Sequence, residues 1–281
     1  MPKLSAHQSN EFVKVLIVGD PKSGKTSSLV SLVEAGYKLF ILDMDNLLDP
    51  LKFQILARCP QLIGNVEFRT LRDKRKMTPL GPQIDGPPKA FIDAIRMLDH
   101  WKYDDVDFGR PAEWGSDAIL VLDSLTRLCD SAFDWREPLT PKGRSGDYDK
   151  RATYADSQNA IEEVLAGLTS PLFQTNVIAI GHGQYQPQVV GPDKIFPQGI
   201  GQKLSPRIPA YFPNYIRYIN RGGKRTIQLE SDSQIDLATA KPLELKALPA
   251  DTGLATLFEA LRGVPTKEPT HGKTTITTRR A

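Results

Sequence analysis

Cysteine is scarce in this sequence, and long apolar runs and a large net charge are absent. The 281 residues include two cysteines, Cys59 and Cys129, which are too few for a disulfide framework and suit a reducing compartment. No signal peptide, transit sequence or apolar run near about 18 residues is found, so we expect a cytoplasmic protein without membrane contact. The net charge of +3 is too small to indicate a partner; only the distribution of charge along the chain can.

One short stretch carries the most specific signal. Residues 13–19 are a mostly apolar run with the length of a buried strand, and residues 19–26 fit the pattern G-x-x-x-x-G-K-[ST] at each fixed position. The two glycines let backbone N–H groups turn inward and form an anion-binding nest. Lys25 brings a charge to the β- and γ-phosphates, and Thr26 offers a hydroxyl to Mg²⁺. The predicted nucleotide-binding residues are Gly19, Asp20, Pro21, Lys22, Ser23, Gly24, Lys25, Thr26 and Ser27.

Strand and helix patterns alternate after this loop. Apolar runs predict strands over 37–43, 66–71, 118–123 and 176–181. Apolar residues at helical spacing predict helices over 27–35, 89–101 and 154–168. Loops are expected over 74–88, 137–150 and 183–213, a β-hairpin over 215–230, and a strand and a helix within 231–262. This alternation favours an α/β fold with a mostly parallel, doubly wound sheet and a C-terminal β-hairpin extension.

Two strand ends carry polar side chains that a nucleotide site could use. Asp123 ends the apolar run at 118–122, and behind a phosphate loop such an aspartate usually supplies the second Mg²⁺ contact, through water. His182 follows the run at 176–181. It is therefore expected at the carboxyl end of a strand, where open α/β sheets bind their ligands.

Basic and aromatic residues are interleaved over residues 183–229. This stretch has seven basic residues against one acid, Asp193. Neutralisation of phosphates together with base stacking is what single-strand binding requires, and the alternative is a solvated loop with an edge hairpin protected by charge. The candidate DNA-binding residues are Tyr185, Lys194, Phe196, Lys203, Arg207, Arg217, Arg221, Lys224 and Arg225.

The motifs together resemble RecA-type ATPases. Residues 41–49 resemble the segment that carries the catalytic carboxylate of those enzymes, and Val121-Leu-Asp123-Ser124 resembles their magnesium strand. Residues 178–182 resemble the strand whose terminal polar residue senses the γ-phosphate. With no separate domain expected before the first strand, the chain looks most like the minimal RecA-like ATPases of bacteriophages. Some of those act in single-strand annealing and recombination.

The resemblance implies roles for three further residues. Asp45 would orient or deprotonate the attacking water, a role usually filled by Glu, and Asp43 is the alternative base. His182 would donate to a phosphate oxygen where bacterial recombinases more often place Gln. Lys241 looks like the basic residue that such ATPases insert into the catalytic site of a neighbouring subunit.

The resemblance also implies partners and domain organisation. It predicts one RecA-like ATPase domain over 12–262. The polar composition of residues 1–11 and the polar, basic composition of residues 263–281, which have no apolar periodicity, predict a flexible N-terminus and a disordered tail. ATP and Mg²⁺ would be the cofactors, single-stranded DNA the partner, and a homo-oligomer or filament the active form. A single-strand-binding protein is a further candidate partner, and a phage-encoded protein would work in the host cytoplasm. Three other classes stay open: a nucleic-acid motor, a nucleotide-dependent scaffold with little turnover, and a small-molecule kinase.

Overall fold

A computed structural model describes residues 12–142, 146 and 149–262. The predicted flexible N-terminus at 1–11 and the predicted disordered tail at 263–281 lie outside the described residues. The strands are β1 (Lys14–Gly19), β2 (Lys38–Asp43), β3 (Val66–Thr70), β4 (Arg75–Thr78), β5 (Gly81–Ile84), β6 (Lys102–Tyr103), β7 (Val106–Asp107), β8 (Gly115–Asp123), β9 (Thr175–Gln186), β10 (Lys194–Pro197), β11 (Asn214–Arg221), β12 (Lys224–Gln228) and β13 (Ala247–Pro249). The helices are α1 (Val30–Glu34), α2 (Asp49–Arg58), α3 (Ala90–Asp99), α4 (Leu125–Arg136), α5 (Lys150–Thr169), α6 (Gly201–Leu204) and α7 (Gly253–Arg262).

A nine-stranded sheet organises the described residues. Its order is β13-β12-β11-β1-β9-β8-β2-β3, and β10 pairs with the end of β9. The six strands from β11 to β3 run parallel to one another, whereas β12 and β13 are antiparallel at one edge. The prediction of a mostly parallel α/β sheet is therefore confirmed, and the fold is that of a P-loop NTPase core.

Apolar residues alternate between the two faces of the sheet. On β1, Leu16 and Val18 belong to the core packed under α3, α4 and α5, whereas Val15 and Ile17 belong to the core packed under α1, α2 and α7. Successive strand residues point to opposite faces, so a strand covered by helices on both sides must be apolar throughout. The doubly wound arrangement follows from this pattern.

Two segments predicted as loops contain regular structure. Residues 74–88 include the hairpin of β4 and β5, which stands apart from the main sheet. Residues 183–213 include the end of β9, all of β10 and the short α6. Both segments are rich in proline and glycine, which is typical of loops, and this composition hid their short strands.

The predicted C-terminal hairpin is placed more centrally than expected. Its first strand, β11, pairs in parallel with β1 over Val15–Gly19, so it is part of the core sheet rather than an extension. None of the helices in the described ranges is long and apolar enough to cross a membrane.

Asn176 joins three strands at the edge opposite the phosphate loop, and its removal should destabilise the fold. The side chain is fully buried; Oδ1 accepts from Val13 N at 2.9 Å, and Nδ2 donates to the carbonyls of Ser116 at 2.7 Å and Ala118 at 2.9 Å. Asn176→Ala leaves these buried groups unpaired, so we expect the free energy of unfolding to fall by about 2–4 kcal/mol. Urea denaturation measures it, with the exposed Asn220→Ala as control. Equal midpoints for the two variants would contradict this.

Candidate nucleotide-binding site

The sheet order brings the predicted site residues to one edge. Gly19 at the end of β1 is level with His182 on the neighbouring strand β9. Asp123 at the end of β8 is level with Ile180 of β9 on one side and with Asp43 of β2 on the other. Residues far apart in the chain therefore converge just beyond the phosphate loop.

The phosphate loop depends on glycine at two positions for different reasons. A Cβ atom at Gly19 would lie 2.6 Å from the carbonyl oxygen of Tyr218 on β11, which is closer than atoms can pack. Gly24 has φ of +98°, in the region that side chains disfavour. After the loop the chain turns through a 3-10 segment, Ser27–Leu29, into α1. The pattern read from the sequence thus corresponds to a loop whose backbone could not adopt this course with larger residues.

The side chain of Lys25 folds back against the backbone of the phosphate loop. Its Nζ donates to the carbonyls of Gly19 at 2.8 Å and Asp20 at 2.9 Å, and the residue is buried. Burial lowers the pKa of Lys25 to about 8, although the nearby carboxylates of Asp123, Asp20 and Asp45 raise it in part. The ammonium group is therefore held within the loop, with little competing solvation.

Thr26 and Asp123 form a pair of oxygen ligands suited to Mg²⁺. Thr26 Oγ1 donates to Asp123 Oδ2 at 2.6 Å, and Asp123 is almost fully buried. Burial raises the pKa of Asp123 to about 6, partly offset by the hydrogen bond from Thr26. Mg²⁺ prefers one or two carboxylate or hydroxyl oxygens combined with substrate phosphates and water, so this donor set fits the ion.

Asp43 and Asp45, the two candidates for the base, have different surroundings. The oxygens of Asp43 are occupied: Oδ1 accepts from the backbone of Asn46 at 2.7 Å and Leu47 at 3.4 Å, and Oδ2 accepts from Thr70 Oγ1 at 2.8 Å. These contacts hold the turn after β2. Asp45, by contrast, is close enough to Lys25 to affect its pKa and has a side chain that is 12% exposed. Of the two, Asp45 is therefore the carboxylate that interacts with Lys25 of the phosphate loop.

A small polar network holds Asp45. Arg127 Nε lies 3.2 Å from Oδ1, and His182 Nε2 lies 3.6 Å from Oδ2. Burial alone would raise the pKa of Asp45, but polar contacts with His182 and Ser124 outweigh it and hold the pKa below its usual value. Asp45 is therefore ionised at neutral pH, and both of its oxygens can accept a hydrogen bond from a water molecule.

Sequence reasoning missed Arg127 and Thr126. Both lie in the first turn of α4, which begins after Ser124 caps it by accepting from Arg127 N at 3.3 Å. The buried Thr126 Oγ1 accepts from His182 N at 3.0 Å and donates to the Gln198 carbonyl at 3.3 Å. Their position one turn beyond the strand-ending Asp123 was the available signal.

His182 lies within a strand rather than at its end. β9 continues to Gln186 and pairs there with β10, so residue 182 is the last one level with β1. The carbonyl of His182 accepts from Gln198 N at 2.8 Å, and Nδ1 is buried with no hydrogen-bond partner in the described structure. His182 therefore connects the edge of the sheet that carries the phosphate loop to the β9–β10 hairpin.

Lys241 is not part of this cluster. Its neighbour Ala240 donates to Asn214 Oδ1 at 2.9 Å, and Asn214 is the first residue of β11. Because β11 runs parallel to β1, this end of β11 lies at the edge opposite the phosphate loop. Lys241 and Lys25 of one chain are therefore at opposite ends of the parallel strands.

Three of the candidate DNA-binding residues are held in ion pairs with acids of the same chain. Three cations face acids: Lys194 with Asp236 at 2.9 Å, Arg207 with Glu162 at 3.0 Å, and the buried Arg217 with Asp232 at 3.7 Å. The rest of the set lies in two hairpins on either side of β1, apart from Lys203 on α6. Tyr185 and Phe196 are on β9 and β10, and Arg221, Lys224 and Arg225 surround the β11–β12 turn.

One known protein family matches most of the chain. A family model described as AAA domain matches residues 11–236. Among solved structures, a prototypical ATPase from the type III secretion system of pathogenic bacteria is similar at 12% identity with a TM-score of 0.42. That alignment covers 74% of this chain and 52% of the other, so the chain spans about half its length. No curated protein matches the chain. Because the family match extends over more than half of the sequence and includes the phosphate loop, the chain belongs to the AAA domain family of P-loop ATPases.

Proposed function

We propose that the protein is a RecA-like ATPase that hydrolyses Mg-ATP in response to single-stranded DNA. Lys25 and the loop N–H groups would hold the phosphates, and Thr26 and Asp123 would hold Mg²⁺. Bound Mg²⁺ supplies neutralisation of charge on the β- and γ-phosphates. Asp45, ionised and in contact with Arg127, would accept a hydrogen bond from the attacking water.

The observation that carries the DNA assignment is the continuity between His182 and the β9–β10 hairpin. His182 is level with Gly19, and the same strand continues for four residues into the hairpin. The hairpin exposes Tyr185 at 46% and, at its tip, Val189 and Val190 almost completely. Exposed aromatic and apolar side chains on such a projection suit the faces of unstacked bases.

A change at the γ-phosphate has a direct route to this hairpin. Thr126 bonds both to His182 N and to the Gln198 carbonyl, which follows the last residue of β10. Movement of His182 toward a phosphate would therefore move both ends of the hairpin. By thermodynamic linkage, ATP would tighten DNA binding and DNA would tighten ATP binding by the same factor.

Lys241 would have its catalytic role between subunits. It lies at the opposite end of the parallel strands from Lys25, so it cannot reach the phosphate loop of its own chain, and any catalytic contact it makes would be in the site of a second copy. We propose a homo-oligomer or filament in which hydrolysis depends on assembly. The process would be single-strand annealing, recombination or replication of the bacteriophage type, in the host cytoplasm.

Single-strand binding measured in different nucleotide states tests this proposal. We expect tighter binding with a non-hydrolysable ATP analogue than with ADP, because the analogue keeps the γ-phosphate that His182 would contact. ATP hydrolysis should rise when single-stranded DNA is added. Salt-independent binding, or no binding in any nucleotide state, would instead favour a scaffold or a small-molecule kinase.

Two variants separate phosphate contacts from base contacts. Arg221→Ala combined with Lys224→Ala should flatten the dependence of log K on log salt by about 1.4, since each lost phosphate contact contributes about 0.7. Tyr185→Ala should weaken binding by about 1–3 kcal/mol with little change in that slope. Lys38→Ala, an exposed lysine at the first residue of β2, is the control. If Lys38→Ala changed the salt slope by as much as the double variant, the slope would reflect the overall charge of the protein and not contacts made by the hairpin.

A further inference from the structure

A cavity opens beside the phosphate loop, on the side of the β11–β12 hairpin. Its volume is about 320 Å³, within the range of small-ligand pockets, which begins at about 300 Å³. Residues lining it include Gly24, Ser27, Gln54, Gly223, Arg225 and Asp251. The cavity thus joins the phosphate loop to α2, to the hairpin turn and to the loop before α7.

The direction of a bound triphosphate follows from the strand order. β1 lies between β9 on one side and β11 on the other. Asp123, Asp45 and His182 are all on the β9 side, so the reacting γ-phosphate belongs there. The opposite end of the nucleotide must leave the loop toward β11 and β12, where the cavity opens.

Three polar side chains lining this cavity have no partner among the described residues. The Arg225 side chain packs on the loop, with Cδ 3.0 Å and Nη1 3.6 Å from the position a Cβ atom would take on Gly24. Arg225 makes no salt bridge, whereas Arg58 beside it is paired with Glu34. The amide of Gln54 and the carboxylate of Asp251 are likewise without hydrogen bonds in the part of the chain described.

These groups match the chemistry of a nucleoside. A guanidinium can lie over the face of a purine ring and also donate in its plane. A carboxylate accepts from ribose hydroxyls, and a glutamine amide can pair with the edge of adenine. The cavity therefore offers a contact for each part of the nucleotide beyond its phosphates.

We propose that this cavity binds the nucleoside half of the nucleotide and that Arg225 is its main contact. This inference rests on the proposed nucleotide-binding function and refines it. It assigns Arg225 to the nucleotide rather than to DNA, although the residue is on the same hairpin as Arg221 and Lys224. The hairpin turn would then be ordered by the nucleotide itself.

Binding of ATP and of inorganic tripolyphosphate, each with Mg²⁺, tests the assignment by calorimetry on the full chain. Arg225→Ala should raise the Kd for ATP about tenfold, the loss expected for one polar or cation–π contact, and leave the Kd for tripolyphosphate unchanged. Lys52→Ala, which removes an exposed cation from the neighbouring α2, is the control and should change neither. Thermal melting of each variant checks folding.

Each other outcome overturns the proposal in a distinct way. Equal weakening of ATP and tripolyphosphate would place Arg225 at a phosphate. A wild-type Kd for ATP combined with weakened DNA binding would return Arg225 to the DNA surface, leaving the proposed function intact. Failure of the unmodified protein to bind ATP at all would overturn the proposed function together with this cavity.

Discussion

Lys25→Ala is expected to lower the ATP hydrolysis rate by at least about 10²-fold and to weaken Mg-ATP binding. The ammonium group is held inside the phosphate loop by the carbonyls of Gly19 and Asp20, where it would contact the β- and γ-phosphates of a bound nucleotide. Loss of one preorganised charge donor at a reacting centre costs about 10²–10³ in kcat. Steady-state hydrolysis at saturating ATP and calorimetric titration of Mg-ATP measure the two effects.

The same substitution should leave the fold intact. Burial lowers the pKa of Lys25 to about 8, so the charged form is less favourable in the folded chain than in the unfolded one. Removing the Lys25 charge therefore removes no favourable electrostatic contribution to the free energy of unfolding. The melting temperature should change little. Lys38→Ala, at the opposite edge of the sheet, is the matched control for loss of a lysine. Wild-type turnover in Lys25→Ala would show that residues 19–27 are not the active loop.

Asp45→Asn is expected to lower kcat by roughly 10²-fold or more, with a smaller effect on ATP affinity. The substitution preserves shape but removes the charge that Arg127 and His182 face. A carboxylate that orients or deprotonates water contributes to the transition state far more than to binding, so kcat should fall more than KM rises. Single-turnover hydrolysis with saturating enzyme separates chemistry from product release.

Asp43→Asn distinguishes the two neighbouring carboxylates. Because Asp43 accepts from Asn46 N and Thr70 Oγ1, its replacement should lower the melting temperature as well as activity. Asp45→Asn should change activity alone. Asp49→Asn, an exposed acid in the first turn of α2, is the control and should change neither. If Asp43→Asn lost its activity but kept a normal melting temperature, while Asp45→Asn lost little activity, the assignment would be reversed and Asp43 would be the base. Mild effects in both would favour the low-turnover scaffold.

The sequence alone determined the features that are built from contiguous residues. The need for glycine at the two ends of the phosphate loop could be predicted from the sequence, because it depends on local backbone geometry and close approach at Gly19 and Gly24. The buried parallel strands were predicted as well, since a strand covered by helices on both faces must be an unbroken apolar run. The alternation of strands and helices then left few sheet topologies to choose from.

Tertiary structure decided everything that depends on residues distant in the chain. The sequence named Asp45 as the candidate base and left Asp43 open as the alternative, and only the structure shows their different surroundings, with a hydrogen bond from Thr70 to Asp43 and a contact of Arg127 with Asp45. Arg217 and Arg225 belong to the same hairpin pattern, yet one is buried beside Asp232 and the other packs on Gly24. The pairing of β11 with β1 produced that difference. Strand pairing depends on side chains that meet across the sheet, so the sequence of one strand does not reveal which neighbour it will have.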